Sequence, residues 1–211
     1  MSKRTAPPPP DASAAGAAAA PDVAAVRKRL LALGYRELFL RADTAEVDTL
    51  AADAPALEAL VRAPDENAQA RFLAAEILFL RAPGFPPAEL KAPLAALYAQ
   101  ALAQTSRETG TWKLMANQWG MLYDGNDAGL VGGHLLALGA EAVPALRGLL
   151  DDREHVLYEG SRNATTGNDR MYRIKDVAAW YLGRLTGKPV PYHVDLAARD
   201  REIAKLVKAL P

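Results

Sequence analysis

Residues 172–187 of this 211-residue chain read YRIKDVAAWYLGRLTG, and the main architectural prediction begins with them. Their apolar side chains recur every three or four residues, which is the spacing of one face of an amphipathic α-helix and not the alternation of a strand. Gly187 is placed to end this helix, and Pro189 cannot continue it. We therefore predict a helix over residues 172–186. Its inward face should comprise Ile174, Val177, Ala178, Tyr181, Leu182 and Leu185.

A shorter helix is predicted just before this one, over residues 140–150, with Pro144 in its first turn, where proline is tolerated. The two helices are joined by residues 153–171, a polar segment that contains the turn formers glycine and asparagine. A connection of this length inside a compact domain is usually functional or disordered. We interpret it as a long loop with a candidate role in binding.

An earlier part of the chain repeats this pattern. Residues 70–78 read ARFLAAEIL and residues 174–182 read IKDVAAWYL, so a basic residue, two adjacent alanines and a final leucine occupy the same positions in the two segments. Each segment follows a short apolar helix that leads to an aspartate, Asp65 in the first case and Asp151 in the second. Two copies of one unit are typical of a stacked helical repeat, in which each pair of helices covers the apolar face of its neighbour.

Residues 139–152 (GAEAVPALRGLLDD), followed by residues 175–182 (KDVAAWYL), resemble a HEAT-like repeat. The resemblance implies units of two antiparallel helices with a period of about 40–47 residues, stacked into a solenoid. The fold class we predict is therefore all-α, a HEAT-like α-α superhelix of stacked antiparallel helix pairs. The long connection departs from that family, which usually has a short turn there. Residues 158–168 (YEGSRNATTGN) with residues 172–178 (YRIKDVA) are also similar to a bacterial family of unassigned function, which implies no activity.

Residues 1–21 are rich in proline and alanine and are predicted to be a disordered tail, and residues 22–211 are predicted to be a single helical-repeat domain. In the most apolar helix, over residues 68–81, we expect Glu76 to find an arginine or backbone partner, because a buried unpaired carboxylate is costly. Further helices are predicted over residues 22–33, 45–52, 55–62, 94–103, 111–122, 128–138 and 197–210. On the last of these, Arg199, Asp200, Arg201 and Glu202 are interpreted as a solvated outer face.

The composition limits which classes of function the chain is expected to have. The 25 basic and 25 acidic residues balance, so there is no overall charge to attract nucleic acid or an anionic membrane. The absence of cysteine excludes disulfides and zinc–cysteine sites. No run of about 20 apolar residues occurs, so no membrane span is expected. We expect a cytoplasmic location, with export as the alternative if a signal lay upstream or were atypical: Lys3 and Arg4 precede an alanine run that only partly resembles a signal peptide.

The chain contains none of the common dinucleotide, phosphate-loop, zinc-protease or serine-hydrolase motifs. The three histidines, His134, His155 and His193, lie in different segments, so no metal cluster can be read from their spacing. We therefore predict no cofactor and no metal site. The alternative is that a group of mainly acidic residues near the start of the loop coordinates a cation. We interpret this group instead as a solvated turn. Its members are Asp151, Asp152, Glu154, His155 and Glu159.

The candidate functional surface combines the 153–171 loop with the outer stripe of the next helix. Aromatic and arginine side chains are the usual anchors of interfaces. The predicted binding residues are Tyr158, Ser161, Asn168, Tyr172, Arg173, Lys175, Asp176 and Trp180. The alternative interpretation is that Arg173, Asp176 and the loop form an internal polar clip that joins the repeat together.

These patterns favour a non-enzymatic scaffold or adaptor that binds a protein or peptide partner on the concave face of a short solenoid. One alternative is an enzyme whose polar site is built from the 153–171 loop and helix 172–186, with Glu159, Tyr172 and Asp176 among its candidates. A less favoured alternative is a HEAT-like nucleic-acid-binding protein, similar to the helical-repeat DNA glycosylases, which the balanced charge argues against.

Overall fold

The structure is a computed structural model that describes residues 22–121 and 127–210, apart from the side chains of Ser161 and Asn163. The predicted disordered tail therefore lies outside the described residues. Within these ranges the chain is all-α, as predicted, and its extended pairing is limited to two isolated antiparallel bridges, Ser106 with Val156 and His155 with Arg173.

Ten α-helices are described, together with short 3-10 helices at Ala116–Trp119 and Gly139–Glu141. The α-helices are α1 (Val23–Phe39), α2 (Ala45–Ala51), α3 (Ala54–Arg62), α4 (Ala68–Arg81), α5 (Ala88–Ala103), α6 (Gly129–Ala137), α7 (Ala142–Arg147), α8 (Ser161–Asp169), α9 (Ile174–Thr186) and α10 (Leu196–Ala209).

Local chemistry explains several of these boundaries. The side chains of Asp22, Asn67 and Asp195 precede α1, α4 and α10, and each accepts a hydrogen bond from a backbone N–H of the first turn. Gly187 ends α9 in the left-handed conformation (φ 68°, ψ 21°), as its position in the sequence predicts. The sequence also predicts that α1 stops before Gly34, but the helix bends there (φ 65°) and continues to Phe39.

Three other predictions need correction. The helix expected over residues 111–122 is wrong: in the described part of this range only Ala116–Trp119 is helical, because Lys113 and Met121 have positive φ angles of 52° and 62°. Helix α5 begins at Ala88 and passes through Pro93, where a division was expected. The 153–171 connection is not one irregular loop, because α8 forms within it.

The core is organised around α4 and α9, the two helices that share the repeated sequence pattern. Helix α4 contacts α1, α2, α3, α5 and α6, while α9 packs against α7 and α10. Helix α5 contacts both α4 and α7 and so joins the two halves of the chain. The inward face predicted for α9 is buried from Ile174 to Leu182, with Leu185 partly buried beside it.

Glu76 is fully buried in α4, and its partners differ from those expected. Its Oε1 accepts a hydrogen bond from the Tyr98 hydroxyl and lies 2.8 Å from Nδ1 of His134, so neither an arginine nor the backbone satisfies it. The tyrosine and histidine come from α5 and α6. Pairing of this carboxylate therefore depends on three helices packing together.

In the described ranges, no single helix combines the length and apolarity needed to cross a membrane. Two consecutive segments, Gly129–Ala137 and Gly139–Arg147, together have the length and apolar composition of a membrane span. They are bent by 104° relative to each other.

Candidate functional site

An open cleft of about 670 Å³ lies along α9, where the chain passes through residues 189–192 towards α10. This volume is within the range of about 300–1,000 Å³ that is usual for ligand sites. Most of the polar and aromatic side chains that line the cleft are arginines, tyrosines and a tryptophan: Arg170, Tyr172, Trp180, Arg184, Tyr192 and Arg199.

The floor of the cleft is fixed at the start of α9. Arg173 precedes the first turn, and its backbone N–H donates to Oδ2 of Asp176 at 2.9 Å, which caps the helix. The guanidinium of Arg173 also holds this carboxylate, with Nε 3.0 Å from Oδ2 and Nη2 2.8 Å from Oδ1. Arg199 of α10 adds a contact of 3.2 Å from Nη1 to Oδ2. Both carboxylate oxygens of Asp176 therefore have internal donors.

Arg199 is 4 % exposed, and all of its donors are used inside the protein. A guanidinium has five N–H groups. Those of Arg199 reach the Asp176 carboxylate, the Tyr192 hydroxyl and three backbone carbonyls, which belong to Arg170, Met171 and His193. Its plane also lies over the rings of Tyr172 and Tyr192, at 5.2 and 4.6 Å from their centroids. Arg199 thus fixes the position of the cleft walls and has no N–H left for a ligand.

A second ion-pair group lies behind the cleft. Oδ1 of Asp200 is 2.8 Å from Nη2 of Arg173 and 2.8 Å from Nζ of Lys175. Partial burial raises the pKa of the Asp200 carboxyl, but the contacts with Lys175 and Arg173 outweigh that effect and hold the pKa below its ordinary value. Arg173, Lys175 and Asp176 are therefore parts of one internal network that joins α9 to α10.

Two arginines stand beside aromatic rings in the cleft. Nη1 of Arg170 donates to the Tyr172 hydroxyl at 3.3 Å, and its guanidinium lies 5.4 Å from the Tyr192 ring centroid. The Arg184 guanidinium lies 4.9 Å from the ring centroid of Trp180, four residues earlier on α9. The aromatic faces thus orient both guanidinium planes.

The structure separates seven of the eight predicted binding residues into three groups. Tyr172, Asp176 and Trp180 line the cleft, whereas Arg173 and Lys175 are buried in the network behind it. Tyr158 and Asn168 lie apart and hold each other: the Asn168 side-chain amide makes hydrogen bonds of 3.0 Å to both the N–H and the carbonyl of Tyr158. The eighth residue, Ser161, lies in α8, and its side chain is outside the described part of the structure.

Two important cleft residues, Tyr192 and Arg199, are absent from the predicted set. The prediction that Arg199 belongs to a solvated face is wrong, because its side chain is buried. A signal was present: Arg199 is spaced three residues after Leu196 and four before Ile203, on the apolar stripe of α10. Tyr192 lies in an extended connector, where periodicity gives no information.

Large exposed apolar side chains concentrate on the segments that border the cleft. Seven are exposed in the described ranges, and four of these belong to the turn before α9, the connector into α10 and the first residue of α10. The four are Met171 (44 % exposed), Tyr192 (42 %), Val194 (84 %) and Leu196 (37 %), and we call them the apolar rim. Exposed apolar side chains that concentrate beside a cleft are typical of interaction sites.

Other candidate sites are less developed. His134 contacts Glu76 and stacks on Phe79 at 4.4 Å between centroids, so its ring is packed into the helical core. Among the described residues, no group of three or more histidine, aspartate or glutamate side chains is arranged to hold a metal ion. In the acidic stretch, Glu154 instead accepts a hydrogen bond from the Thr109 hydroxyl at 2.6 Å.

Searches against protein-family models, curated proteins and solved structures find no match to this chain. Because a fold by itself does not fix an activity, the cleft and its apolar rim are the basis for a functional proposal.

Proposed function

We propose that this chain is a non-enzymatic scaffold or adaptor that binds a protein or peptide partner at the cleft between α9 and α10. The observation behind the proposal is that, of the seven large apolar side chains exposed in the described part of the chain, four lie on the segments bordering one open cleft. Burial of such side chains by a partner is favourable by about 25 cal/mol per Å² of apolar area. Tyrosine, tryptophan and arginine, which line the cleft, are also the commonest anchors of protein interfaces.

The state of the polar groups in the cleft supports binding over catalysis. Among the described side chains that line it, Asp176 is the one carboxylate, and its oxygens already accept from Arg173 and Arg199. A carboxylate held in this way is poorly placed to take a proton from a substrate. Glu159, a candidate for an enzymatic role, is exposed and does not line the cleft.

The proposal extends to the architecture that presents this surface. We propose that α3 with α4, and α7 with α9, are two copies of a HEAT-like unit. In support, α3 packs on α4, α7 packs on α9, and α5 contacts one helix of each pair. An experimental structure tests this: a single rotation and translation should superpose the two pairs, and a pair that requires a different internal angle would refute the relationship.

The binding proposal can be tested with two leucines of equal exposure. Leu196 on the apolar rim and Leu31 on α1 are both 37 % exposed. A photoreactive amino acid at Val194 should crosslink to one discrete partner in cells that express the chain. Leu196→Lys should abolish this crosslink because it puts a charge into the apolar contact, and Leu31→Lys should leave it unchanged.

Circular dichroism should show the same helix content in both lysine variants, so that loss of folding is separated from loss of binding. The proposal is wrong if the crosslink at Val194 does not saturate, or if Leu196→Lys and Leu31→Lys label alike.

A further inference from the structure

We propose that the partner presents a proline-rich segment in the polyproline II conformation, and that Trp180 and Tyr192 of the cleft recognise its prolines and backbone carbonyls. This inference rests on the function proposed above and specifies the chemistry of the ligand. It follows from the state of the charges in the cleft, from the hydrogen-bond donors that remain there, and from the apolar lining and rim.

The charged side chains of the cleft are already engaged within the protein. Four of them line the cleft in the described part of the chain: Arg170, Asp176, Arg184 and Arg199. Asp176 and Arg199 contact each other, while Arg170 and Arg184 lie against aromatic rings and have further partners. The cleft therefore does not require a charged ligand, and an uncharged segment avoids the cost of removing a charge from water.

Two side chains of the cleft keep a hydrogen-bond donor for a ligand. Within the described ranges, the indole N–H of Trp180 makes no hydrogen bond, and its ring contacts Tyr181 and Arg184. The Tyr192 hydroxyl accepts a hydrogen bond from Nη2 of Arg199 at 3.0 Å and donates to none of the described residues, so its own hydrogen is available. A ligand matches these groups if it brings acceptors such as backbone carbonyls.

Proline-rich segments meet this requirement. Each proline contributes a backbone carbonyl but no N–H, so the segment offers acceptors without bringing donors that would need partners in the cleft. In the polyproline II conformation the backbone makes no internal hydrogen bonds, which leaves every carbonyl able to accept one. Because proline already restricts φ, less conformational entropy is lost on binding.

The apolar lining of the cleft also suits proline rings. It includes the side chains of Trp180 and Tyr192 and two prolines of the connector, Pro189 and Pro191. Grooves lined by aromatic side chains are the usual sites for polyproline II segments. The buried guanidinium of Arg199 lies 4.6 Å from the Tyr192 ring centroid and holds this ring in place, so the wall of the groove is formed before a ligand binds.

The apolar rim indicates that the segment belongs to a partner. Met171, Val194 and Leu196 are exposed on the segments that border the cleft but are not among the residues that line it. Large apolar side chains next to the prolines of the ligand would cover them. The chain has a proline run of its own at residues 7–10, but residues 1–21 contain no leucine, isoleucine, valine or aromatic residue that could do so. The segment that fits the whole surface therefore comes from another protein.

The test begins with random peptides displayed on phage and selected against the full-length chain. We expect enrichment of prolines about three residues apart, the repeat of the polyproline II helix, beside leucine, methionine or aromatic residues. A selected peptide is synthesised with a fluorescent label, and its affinity is measured by fluorescence anisotropy. Changing a central proline to alanine introduces an N–H and should weaken binding about tenfold, whereas N-methylalanine, which also lacks the N–H, should weaken it less. This comparison needs no change in the protein and so cannot be confused with misfolding.

Protein variants then locate the recognition. Trp180→Phe keeps an aromatic ring but removes the indole N–H, so it should weaken the peptide about fivefold, as expected for loss of one hydrogen bond. Trp112→Phe is the matched control, because Trp112 is also partly buried but packs on Phe72 and does not line the cleft, and it should leave the affinity unchanged. Replacing residues 7–10 by alanine should also leave it unchanged. Circular dichroism should show the same helix content in all three variants.

The outcomes separate the two proposals. Peptides that bind in a manner lost with Leu196→Lys, yet show no preference for proline, would overturn the ligand assignment and leave the binding function standing. Peptides whose binding is indifferent to Leu196→Lys would overturn the binding function itself. If no peptide is selected, the ligand assignment is wrong, and the crosslink at Val194 still decides the binding function.

Two further results would overturn the ligand assignment. Equal effects of Trp180→Phe and Trp112→Phe would show that the indole N–H in the cleft does not recognise the peptide. A gain in affinity of about tenfold or more on replacement of residues 7–10 would show that the chain's own proline run competes for the cleft, as a tethered ligand does.

Discussion

Two adjacent glycines in α6 have opposite surroundings. A methyl group added at Gly132 would lie 1.7 Å from the hydroxyl oxygen of Tyr181, whereas one added at Gly133 would meet nothing within 4 Å. The Tyr181 hydroxyl is itself placed 2.5 Å from the Trp119 carbonyl and 2.8 Å from the Ala128 carbonyl. Gly132 is therefore the residue of α6 that leaves room for the Tyr181 side chain of α9.

We expect Gly132→Ala to lower the free energy of unfolding by about 1–3 kcal/mol, because Tyr181 must move and lose its carbonyl partner. Gly133→Ala should raise it by about 0.5–1 kcal/mol, the difference in helix propensity between glycine and alanine. Urea unfolding of the two variants measures both changes. A shift of the same sign in both would show that the Tyr181 contact does not control this site.

Arg199 is the residue on which the geometry of the cleft depends most. Its loss would leave three carbonyls, the Tyr192 hydroxyl and one oxygen of Asp176 without this donor. We expect Arg199→Ala to lower the free energy of unfolding by about 3–5 kcal/mol, the usual cost of breaking a buried ion pair. Denaturant unfolding measures this loss. Arg201→Ala, at a side chain that is 68 % exposed, is the control and should change stability by less than about 0.5 kcal/mol.

At the scale of single elements, the sequence predicts best where burial and periodicity agree. Helix α4 has the predicted bounds, and α9 begins two residues later than predicted and ends where Gly187 requires. Helix α8 could not be predicted, because Asn163, Gly167 and Asn168 individually favour turns. It forms where tertiary contacts oppose that preference: Gly167 fits against the Tyr158 ring, and Asn168 bonds both backbone groups of Tyr158.

The position of α8 makes it sensitive to one methyl group. A methyl group at Gly167 would lie 2.3 Å from Cγ of Tyr158, which is buried and cannot move away freely. We expect Gly167→Ala to displace α8, so that backbone amides in residues 161–169 exchange about tenfold faster or more, while those of α4 are unchanged. Hydrogen-exchange mass spectrometry measures this. Asp169→Ala, at an exposed position of the same helix, should exchange like the parent protein, and uniform acceleration across the chain would contradict a local role.

At the scale of the whole molecule, the cleft shows which of its lining residues can be predicted from the sequence alone. Tyr172, Asp176 and Trp180 come from the segment that the sequence picks out, and they line the cleft. Tyr192 and Arg199 come from the connector and from α10, and they join the site only because α10 packs on α9. That packing depends on ion pairs and cation–aromatic contacts, which have no periodic signature in the sequence.

The whole molecule should also respond as one unit to alkali. Four tyrosines in separate parts of the chain, Tyr35, Tyr98, Tyr158 and Tyr181, have pKa values raised above the ordinary range, in each case chiefly by burial. In the unfolded chain these phenols ionise at about pH 10. Because the folded pKa is the higher one, their contribution to stability is complete below about pH 10 and is lost as the pH rises beyond it.

We therefore expect alkaline unfolding in which the phenolate absorbance of these tyrosines rises together with loss of the helical circular dichroism signal. Each such group should add a slope of about 1.4 kcal/mol per pH unit to the fall in stability above about pH 10. Tyr158→Phe keeps the ring but removes one phenol, so it should reduce the slope by that amount, even though loss of the hydrogen bond to the Gly120 carbonyl lowers stability at neutral pH. If all four phenols ionised while the helical signal stayed intact, their burial would not be coupled to the global fold.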